Sequence, residues 1–307
     1  MLKVVFLGTS SAVPTVERGL TSIAIKRGGE YILIDCGDGT QRQIFKAKLG
    51  MKGLKRIFIT HLHGDHFLGL PAFIETMSIL RRTEPLEIYG PKGIKEFIEV
   101  TSRVASFDPP FEIRITELTG ETVFKFNGYK IEFFKVEHGI PECYGIKFEE
   151  RDYPGKFNVQ KANELGVPVS ARGFLQRGFN VKLEDGRVIT PKDVLGPSRL
   201  GRKIVYSSDT RPCENVVKKA KDADLLIHDA TFDASLVERA IKTGHSTINE
   251  ACEVALKAGV HRLVLTHFSA RYKSVDLERL ELEAQKIFKG AILARDLLSI
   301  ELPMREV

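Results

Sequence analysis

Three features of this 307-residue sequence predict a layered α/β fold. From about residue 204, apolar stretches of strand length alternate with amphipathic stretches of helix length, the pattern of sheets covered by helices. Six apolar runs end in a carboxylate or an imidazole, at Asp35, His61, His138, Asp209, Asp229 and His267. Open α/β sheets bind ligands at the carboxyl ends of their strands, so these side chains are expected to meet in one site. A glycine- and proline-rich segment, 151–203, interrupts the alternation and reads as an insertion that projects as an arm. Segments of that length are functional or disordered.

The elements follow in order. "KVVFLG" is a first strand, and "TSIAIKRGGEYILID" is a hairpin turning at Arg27-Gly28-Gly29-Glu30, where a glycine pair supplies positive φ. "QRQIFKAKLG" is a helix closed by Gly50. In "LPAFIETMSILRR" apolar side chains recur at 70, 73, 74, 77 and 80, a helical spacing that sends Phe73 and Met77 to the core. The arm holds one hairpin, at "VKLEDGRVIT". Beyond it, "KIVYSSD", "ADLLIHDATF" and "HRLVLTHF" are strands, and "CENVVKKAK", "ASLVERAIK" and "VDLERLELEAQKIF" are helices. "TINEACEVALKAG" opens on a Thr247-x-x-Glu250 capping box and closes at Gly259.

Composition excludes several classes. Apolar residues make up 43% of the chain, enough for a sizeable core, but no run approaches the ~18–20 residues of a membrane span. The N-terminus reads as a strand and not as a signal peptide. Cys36, Cys143, Cys213 and Cys252 are far apart and form no CxxC, which argues against a zinc ribbon or a thioredoxin-like site. Reduced thiols of a cytoplasmic protein are expected. The net charge is +6, and residues 151–203 carry eleven Lys/Arg against five Asp/Glu, so the whole excess lies in the arm. A localised basic patch suits a polyanion partner.

The strongest chemical signal is "THLHGDH", which packs His61, His63, Asp65 and His66 into six positions directly after an apolar strand. Imidazole and carboxylate are good ligands for zinc and similar ions. So tight a cluster suits two ions ~3.5–4 Å apart, bridged by a carboxylate such as Asp209. His228 and His261 lack such company and are expected to be ordinary.

"THLHGDH" resembles the HxHxDH signature of the metallo-β-lactamase superfamily, and His138, Asp209 and His267 follow in that superfamily's chain order. "FLGTSSAVPTVERG", "SSDTRP", "HDATF", "GHST" and "THFSARY" together resemble the ribonuclease Z family, zinc endonucleases that remove the 3′ trailer from precursor tRNA. The resemblance runs from about residue 5 to 272. It implies an αββα four-layer sandwich formed by residues 1–307 as one domain, with 151–203 inserted as a tRNA-gripping arm. It further implies two zinc ions per subunit, one held by His61, His63 and His138, the other by Asp65, His66 and His267, with Asp209 between them. Asp65 would orient the attacking water or accept its proton, His245 would protonate the leaving 3′ oxygen, and Asp229 would orient His245. Arg172, Phe174, Arg177 and Phe179 are the expected arm contacts to RNA. A cytoplasmic homodimer, one subunit's arm serving the other's site, completes the expectation. Two motifs depart from the family. Its Pro-x-Lys-x-Arg-Asn loop reads Pro14-Thr15-Val16-Glu17-Arg18-Gly19 here, and the arm has no Gly-Pro pair directly after "GVP".

Two other functions compete. A small-molecule phosphodiesterase or sulfatase could use the same metal pair but has no need of a basic arm. A non-catalytic RNA-binding metalloprotein would be expected to close its metal shell, often with cysteine, and no cysteine stands among these ligands.

Overall fold

The computed structural model describes residues 1–305. They form two compact units, Met1–Phe148 with Lys203–Pro303, and Glu149–Arg202.

The first unit contains two seven-stranded sheets. In the first sheet the strand order is Ser299–Leu302, Leu2–Gly8, Ser22–Arg27, Glu30–Ile34, Leu54–Phe58, Leu86–Gly90, Ile113–Glu117. In the second it is Ile292–Leu293, Leu263–Thr266, Leu225–Asp229, Lys203–Tyr206, Tyr144–Glu150, Tyr129–Lys135, Thr122–Phe126. Period-two alternation sorts each strand between two cores. Val4 and Phe6 face the space between the sheets, which Ile131, Phe133, Ile204 and Ile227 fill from the other side. Val5 and Leu7 point the opposite way, onto helices carrying Ile44, Phe73, Met77 and Ile98. Leu226 and Leu263 of the second sheet pack likewise on a helix bearing Ala251 and Ala255. Helices therefore cover both outer faces, and the order of layers is α, β, β, α.

Most expected elements are present. Gly28 has φ 62° in a two-residue turn that pairs Arg27 with Glu30. Helix Ile248–Ala258 carries the reciprocal Thr247/Glu250 box and ends at Gly259 with φ 63°. Helix Thr40–Lys46 stops short of Gly50, because Ala47 and Lys48 already turn back on it. All four cysteines are buried and unpaired.

The second unit corrects the expectation of a loop with a single hairpin. The hairpin Val181–Lys182/Val188–Ile189 is there, but so are helices Val159–Glu164, Val169–Gln176 and Pro191–Val194. They enclose a small core of Ala162, Val167, Leu175, Ile189 and Val194. Glycines at 166 and 173 and the shortness of each helix conceal their periodicity. The base of the unit is closed by a buried pair in which Arg202 Nε donates to Glu150 at 2.6 Å, with Tyr153 Oη donating to the same carboxylate.

What positions the site is parallel pairing. Strand Glu30–Ile34 runs parallel to Leu54–Phe58, and Lys203–Tyr206, Leu225–Asp229 and Leu263–Thr266 run parallel to one another. Each sheet thus brings its strand-end residues to one edge. Two further residues, Phe268–Ser269, pair with Ser10–Ser11 and tie the first loop to the same edge.

Candidate metal centre

Every strand-end side chain singled out in the sequence lies at this edge. His61 and His63 follow strand Leu54–Phe58, and the short helix Gly64–Phe67 presents Asp65 and His66. His138 lies three residues beyond strand Tyr129–Lys135, Asp209 three beyond Lys203–Tyr206, and His267 directly after Leu263–Thr266. His61, His66, His138, Asp209 and His267 are buried, while His63 is exposed. Asp35, Ser208 and His267 sit in the left-handed backbone region at φ 58°, 58° and 66°. Non-glycine residues there are strained, and such strain concentrates at functional sites.

Three groupings of donor atoms form, one of them made by Asp209, Asp229, His245 and His267. One ligand atom from each of His61, His63, His138 and Asp209 lies within 4.8 Å of the others, and the same holds for Asp65, His66 and His267. Asp209 faces both sets. Its Oδ2 is 3.3 Å from His66 Nε2 and 3.6 Å from His61 Nε2, and its Oδ1 is 3.3 Å from His267 Nε2.

Hydrogen-bond logic assigns the imidazole protons. His138 Nδ1 donates to the Gly244 carbonyl at 2.8 Å, and His66 Nδ1 donates to the Asp35 carboxylate at 2.8 Å. Thr60 Oγ1 gives its single hydrogen to Asp35, so it accepts from His61 Nδ1 at 3.0 Å. Thr231 Oγ1 gives its hydrogen to Asp229 at 2.6 Å and accepts from His267 Nδ1 at 3.0 Å. Four rings thereby turn Nε2 lone pairs inward. There they meet carboxylate oxygens and one another at close range, with His66 Nε2 3.3 Å from His267 Nε2. His61 Nε2 and Asp209 Oδ1 are buried and have no hydrogen-bond partner.

Such a nest of acceptors needs cations. Two ligands of a tetrahedral ion with bonds of ~2.0–2.1 Å lie about 3.3–3.4 Å apart, the spacing seen here, so this donor set fits zinc-like ions. Charge follows the same geometry. Burial opposes protonation of His61 and lowers it well below its ordinary value. Burial also opposes it at His66, but Asp209, Asp65 and Asp35 outweigh this and raise the ring well above its ordinary value, so these carboxylates favour a positive charge at its Nε2, whether a proton or an ion. At Asp209 burial is overcome by His267, His66 and His61, which hold the carboxyl well below the usual range.

His245 stands beside the cluster between helices Val237–Thr243 and Ile248–Ala258. Its ring centroid is 4.8 Å from that of His138 and 5.2 Å from that of His267. Nδ1 donates to Asp229 Oδ2 at 2.9 Å, which leaves Nε2 free to exchange a proton. Burial would lower its pKa, but the charge and hydrogen bond of Asp229 prevail and raise it to about 9. His228 is buried outside the cluster, with Nδ1 bonded to the Asp229 carbonyl oxygen.

Several contributors were not singled out for these roles in the sequence. The Ala12 amide donates to Asp65 Oδ2 at 2.7 Å from a residue with φ 54°. Its loop is anchored by Asp296, which accepts from Thr9 Oγ1 and the Gly19 amide, and by Arg18, which donates to the carbonyls of Tyr272 and Ser269. Arg18, which with Pro14 matches the Pro-x-Lys-x-Arg-Asn pattern, thus works as a brace. Gly69 is a further one: a Cβ there would lie 2.2 Å from the Gly37 carbonyl oxygen. Gly69→Ala is therefore expected to push the Asp65/His66 turn off the Cys36-Gly37 backbone and weaken metal binding at least about 10-fold. Equilibrium dialysis checks this, and unchanged affinity refutes it.

In the arm, Phe174 and Phe179 are half-exposed or more, and the Arg177 guanidinium lies 4.8 Å from the centroid of the Phe174 ring. Arg172 is occupied within the unit, donating to Asn163 Oδ1 at 2.6 Å and to the Val167 carbonyl.

Comparison with known proteins places this arrangement. A family model for the anti-Pycsar protein Apyc1 matches residues 2–154, and one for a beta-lactamase superfamily domain matches residues 175–268. The chain is 44% identical over 306 residues to a ribonuclease Z of Methanosarcina acetivorans, covering 99% of each. It is 45% identical to a ribonuclease Z of Archaeoglobus fulgidus, covering 100% of this chain and 99% of the other. Among solved structures, human tRNase Z, short form, aligns with a TM-score of 0.70 at 29% identity, over 98% of this chain and 100% of that one.

Proposed function

The chain belongs to the ribonuclease Z family, and from that premise we propose how its residues divide the work of cutting precursor tRNA. It is a hydrolytic endoribonuclease with a metallo-β-lactamase fold. It removes the 3′ trailer by hydrolysing one phosphodiester and leaves a 3′ hydroxyl on the tRNA. The observation that carries this reading is the inward-facing nest of lone pairs with His245, held through Nδ1 by buried Asp229, beside it.

His61, His63 and His138 would hold one zinc ion and Asp65, His66 and His267 a second, with Asp209 available to both sets. When bound, such ions supply Lewis-acid stabilisation of a charged phosphoryl group and make water a usable nucleophile at neutral pH. Asp65 is held by the Ala12 amide, and it orients the attacking water or takes its proton. His245 keeps a proton on Nε2 and gives it to the departing 3′ oxygen. Asp229 fixes the ring and stabilises its cationic form. Thr247 and the amino end of helix Ile248–Ala258 follow directly, a position suited to an anionic phosphate.

The arm grips tRNA through phosphate charge and aromatic contact, without reading sequence. Arg177, Phe174 and Phe179 make the contact, and Arg172 ties the helix that bears Phe174 to helix Val159–Glu164. Phe174→Ala with Arg177→Glu is expected to raise KM for precursor tRNA about 10-fold or more, from ~1–3 kcal/mol per lost stacking contact. Hydrolysis of bis(p-nitrophenyl) phosphate should be unchanged, and a parallel loss of both activities would make the arm a folding element only.

The functional unit is a homodimer in which one subunit's arm serves the other's site. A purely monomeric species at micromolar concentration would refute that. The reaction is cytoplasmic, where precursor tRNA is met in a simple cell. No helix among the described residues is long and apolar enough to cross a membrane. The deciding experiment is cleavage of an end-labelled precursor tRNA with and without chelator. A single zinc-restored cut next to the discriminator nucleotide is expected. No cut, together with chelator-sensitive hydrolysis of a simple phosphodiester, would move the substrate to a small ester.

A further inference from the structure

We propose that Thr60 and Thr231 are paired positioning residues, each setting the metal affinity of one half of the centre through a hydroxyl that joins a ligand imidazole to a buried carboxylate. This rests on the dinuclear reading of the cluster given above.

The same construction occurs twice, on different sheets. Asp35 is fully buried and takes a proton directly from His66 Nδ1 at 2.8 Å. It takes a second, at 3.0 Å, from Thr60 Oγ1, which in turn holds His61 Nδ1 at 3.0 Å. Asp229 is also fully buried and takes a proton directly from His245 Nδ1 at 2.9 Å. Its second comes at 2.6 Å from Thr231 Oγ1, which holds His267 Nδ1 at 3.0 Å. Each carboxylate therefore serves one imidazole directly and another through a threonine.

The connectivity has a consequence. The run His61–Thr60–Asp35–His66 joins the two donor sets to each other. The run His267–Thr231–Asp229–His245 joins the second set to the proton donor. A carboxylate can only accept, and a hydroxyl has one hydrogen, so each threonine must present a lone pair to its imidazole. The ring is thereby locked with its proton on Nδ1 and its Nε2 lone pair aimed at the metal position. Valine has the same shape and none of this capacity. It would leave a buried Nδ1–H without an acceptor and a buried carboxylate short of a donor, both costly. Serine restores the hydroxyl. Loss of an outer partner of a metal-bound histidine typically costs 10–100-fold in affinity.

The test titrates zinc into the full-length protein in competition with a chromophoric chelator, for the wild type and for Thr60→Val, Thr60→Ser, Thr231→Val and Thr231→Ser. Far-UV circular dichroism verifies folding. Each valine variant is expected to bind one of two ions about 10–100-fold more weakly while the other stays within about threefold of wild type. Each serine variant is expected to return to near wild-type affinity. Cobalt substitution assigns the weakened ion, since Thr60→Val and Thr231→Val should disturb different bands of the visible spectrum. If a valine variant does not fold, Thr→Ala, which also removes the hydroxyl but places no methyl against the polar partners, carries the comparison. Valine variants that bind both ions like the wild type would overturn the inference and leave the metal centre standing. A loss that serine shares would also overturn it, since packing and not the hydroxyl would then be responsible. A wild-type protein that binds fewer than two ions would overturn the dinuclear reading itself.

Discussion

Asp209→Ala is expected to strip metal from the protein and to lower precursor tRNA cleavage by about 10⁴-fold, because several kcal/mol of transition-state stabilisation disappear at ~1.4 kcal/mol per tenfold. The size of the effect follows from its position. Asp209 turns Oδ2 toward His61 and His66 and Oδ1 toward His267, so one substitution takes a ligand from both donor sets. The alanine variant leaves four inward-facing imidazoles with less negative charge to hold a cation among them. Metal analysis and single-turnover cleavage measure the two losses together. Chelation of the wild type should mimic the variant, be reversed by zinc, and lower the melting temperature, since an ion at 100 times its Kd contributes ~2.7 kcal/mol to the folded state. A variant that keeps both ions and full activity would remove Asp209 from the centre.

His245→Ala is expected to cost 10²–10⁴-fold in kcat, the usual contribution of a positioned general acid, with metal content and KM near wild type. This separates it from Asp209→Ala, which loses the metal as well. The pH profile gives a second check. Asp229 raises the His245 pKa to about 9, above its ordinary 6.5, so the proton is present at neutral pH and is lost as pH rises through that value. Bound cations lower the absolute value but not the sign of what Asp229 contributes. Asp229→Asn should therefore move the alkaline limb of kcat to lower pH, because burial, which disfavours the charged ring, is then unopposed. An unchanged limb in Asp229→Asn, or unchanged kcat in His245→Ala, would assign the leaving-group proton elsewhere. The same linkage acts on stability. The His245–Asp229 interaction contributes fully below pH ~6.5 and fades as pH rises through about 9.

The chain made some of this legible and concealed the rest for definite reasons. His61, His63, Asp65 and His66 are neighbours in sequence, so their common purpose is visible without a fold. His138, Asp209 and His267 could be added because each follows an apolar strand, and for Asp209 and His267 the parallel pairing of those strands brings their ends to one edge. The helices of the arm were not visible, since glycines and short lengths erase helical periodicity in Val159–Glu164 and Val169–Gln176. Thr60 and Thr231 were not visible either. A threonine in a strand or turn is ordinary, and its importance lies in a carboxylate 25 residues away for Thr60 and an imidazole 36 residues away for Thr231. The Ala12 amide on Asp65 leaves no trace in side-chain identity at all.

By itself, the sequence determined the kinds of ligand, their chain order, the layered architecture and the basic insertion, because these depend on residue type and local periodicity. Only the tertiary structure decided which nitrogen of each imidazole carries its proton, how far apart the donors stand, and what holds Asp65 and His245 in place. Those depend on single hydrogen bonds between residues far apart in the chain, such as His138 and Gly244, 106 positions apart, and no local pattern encodes a contact that tertiary packing creates.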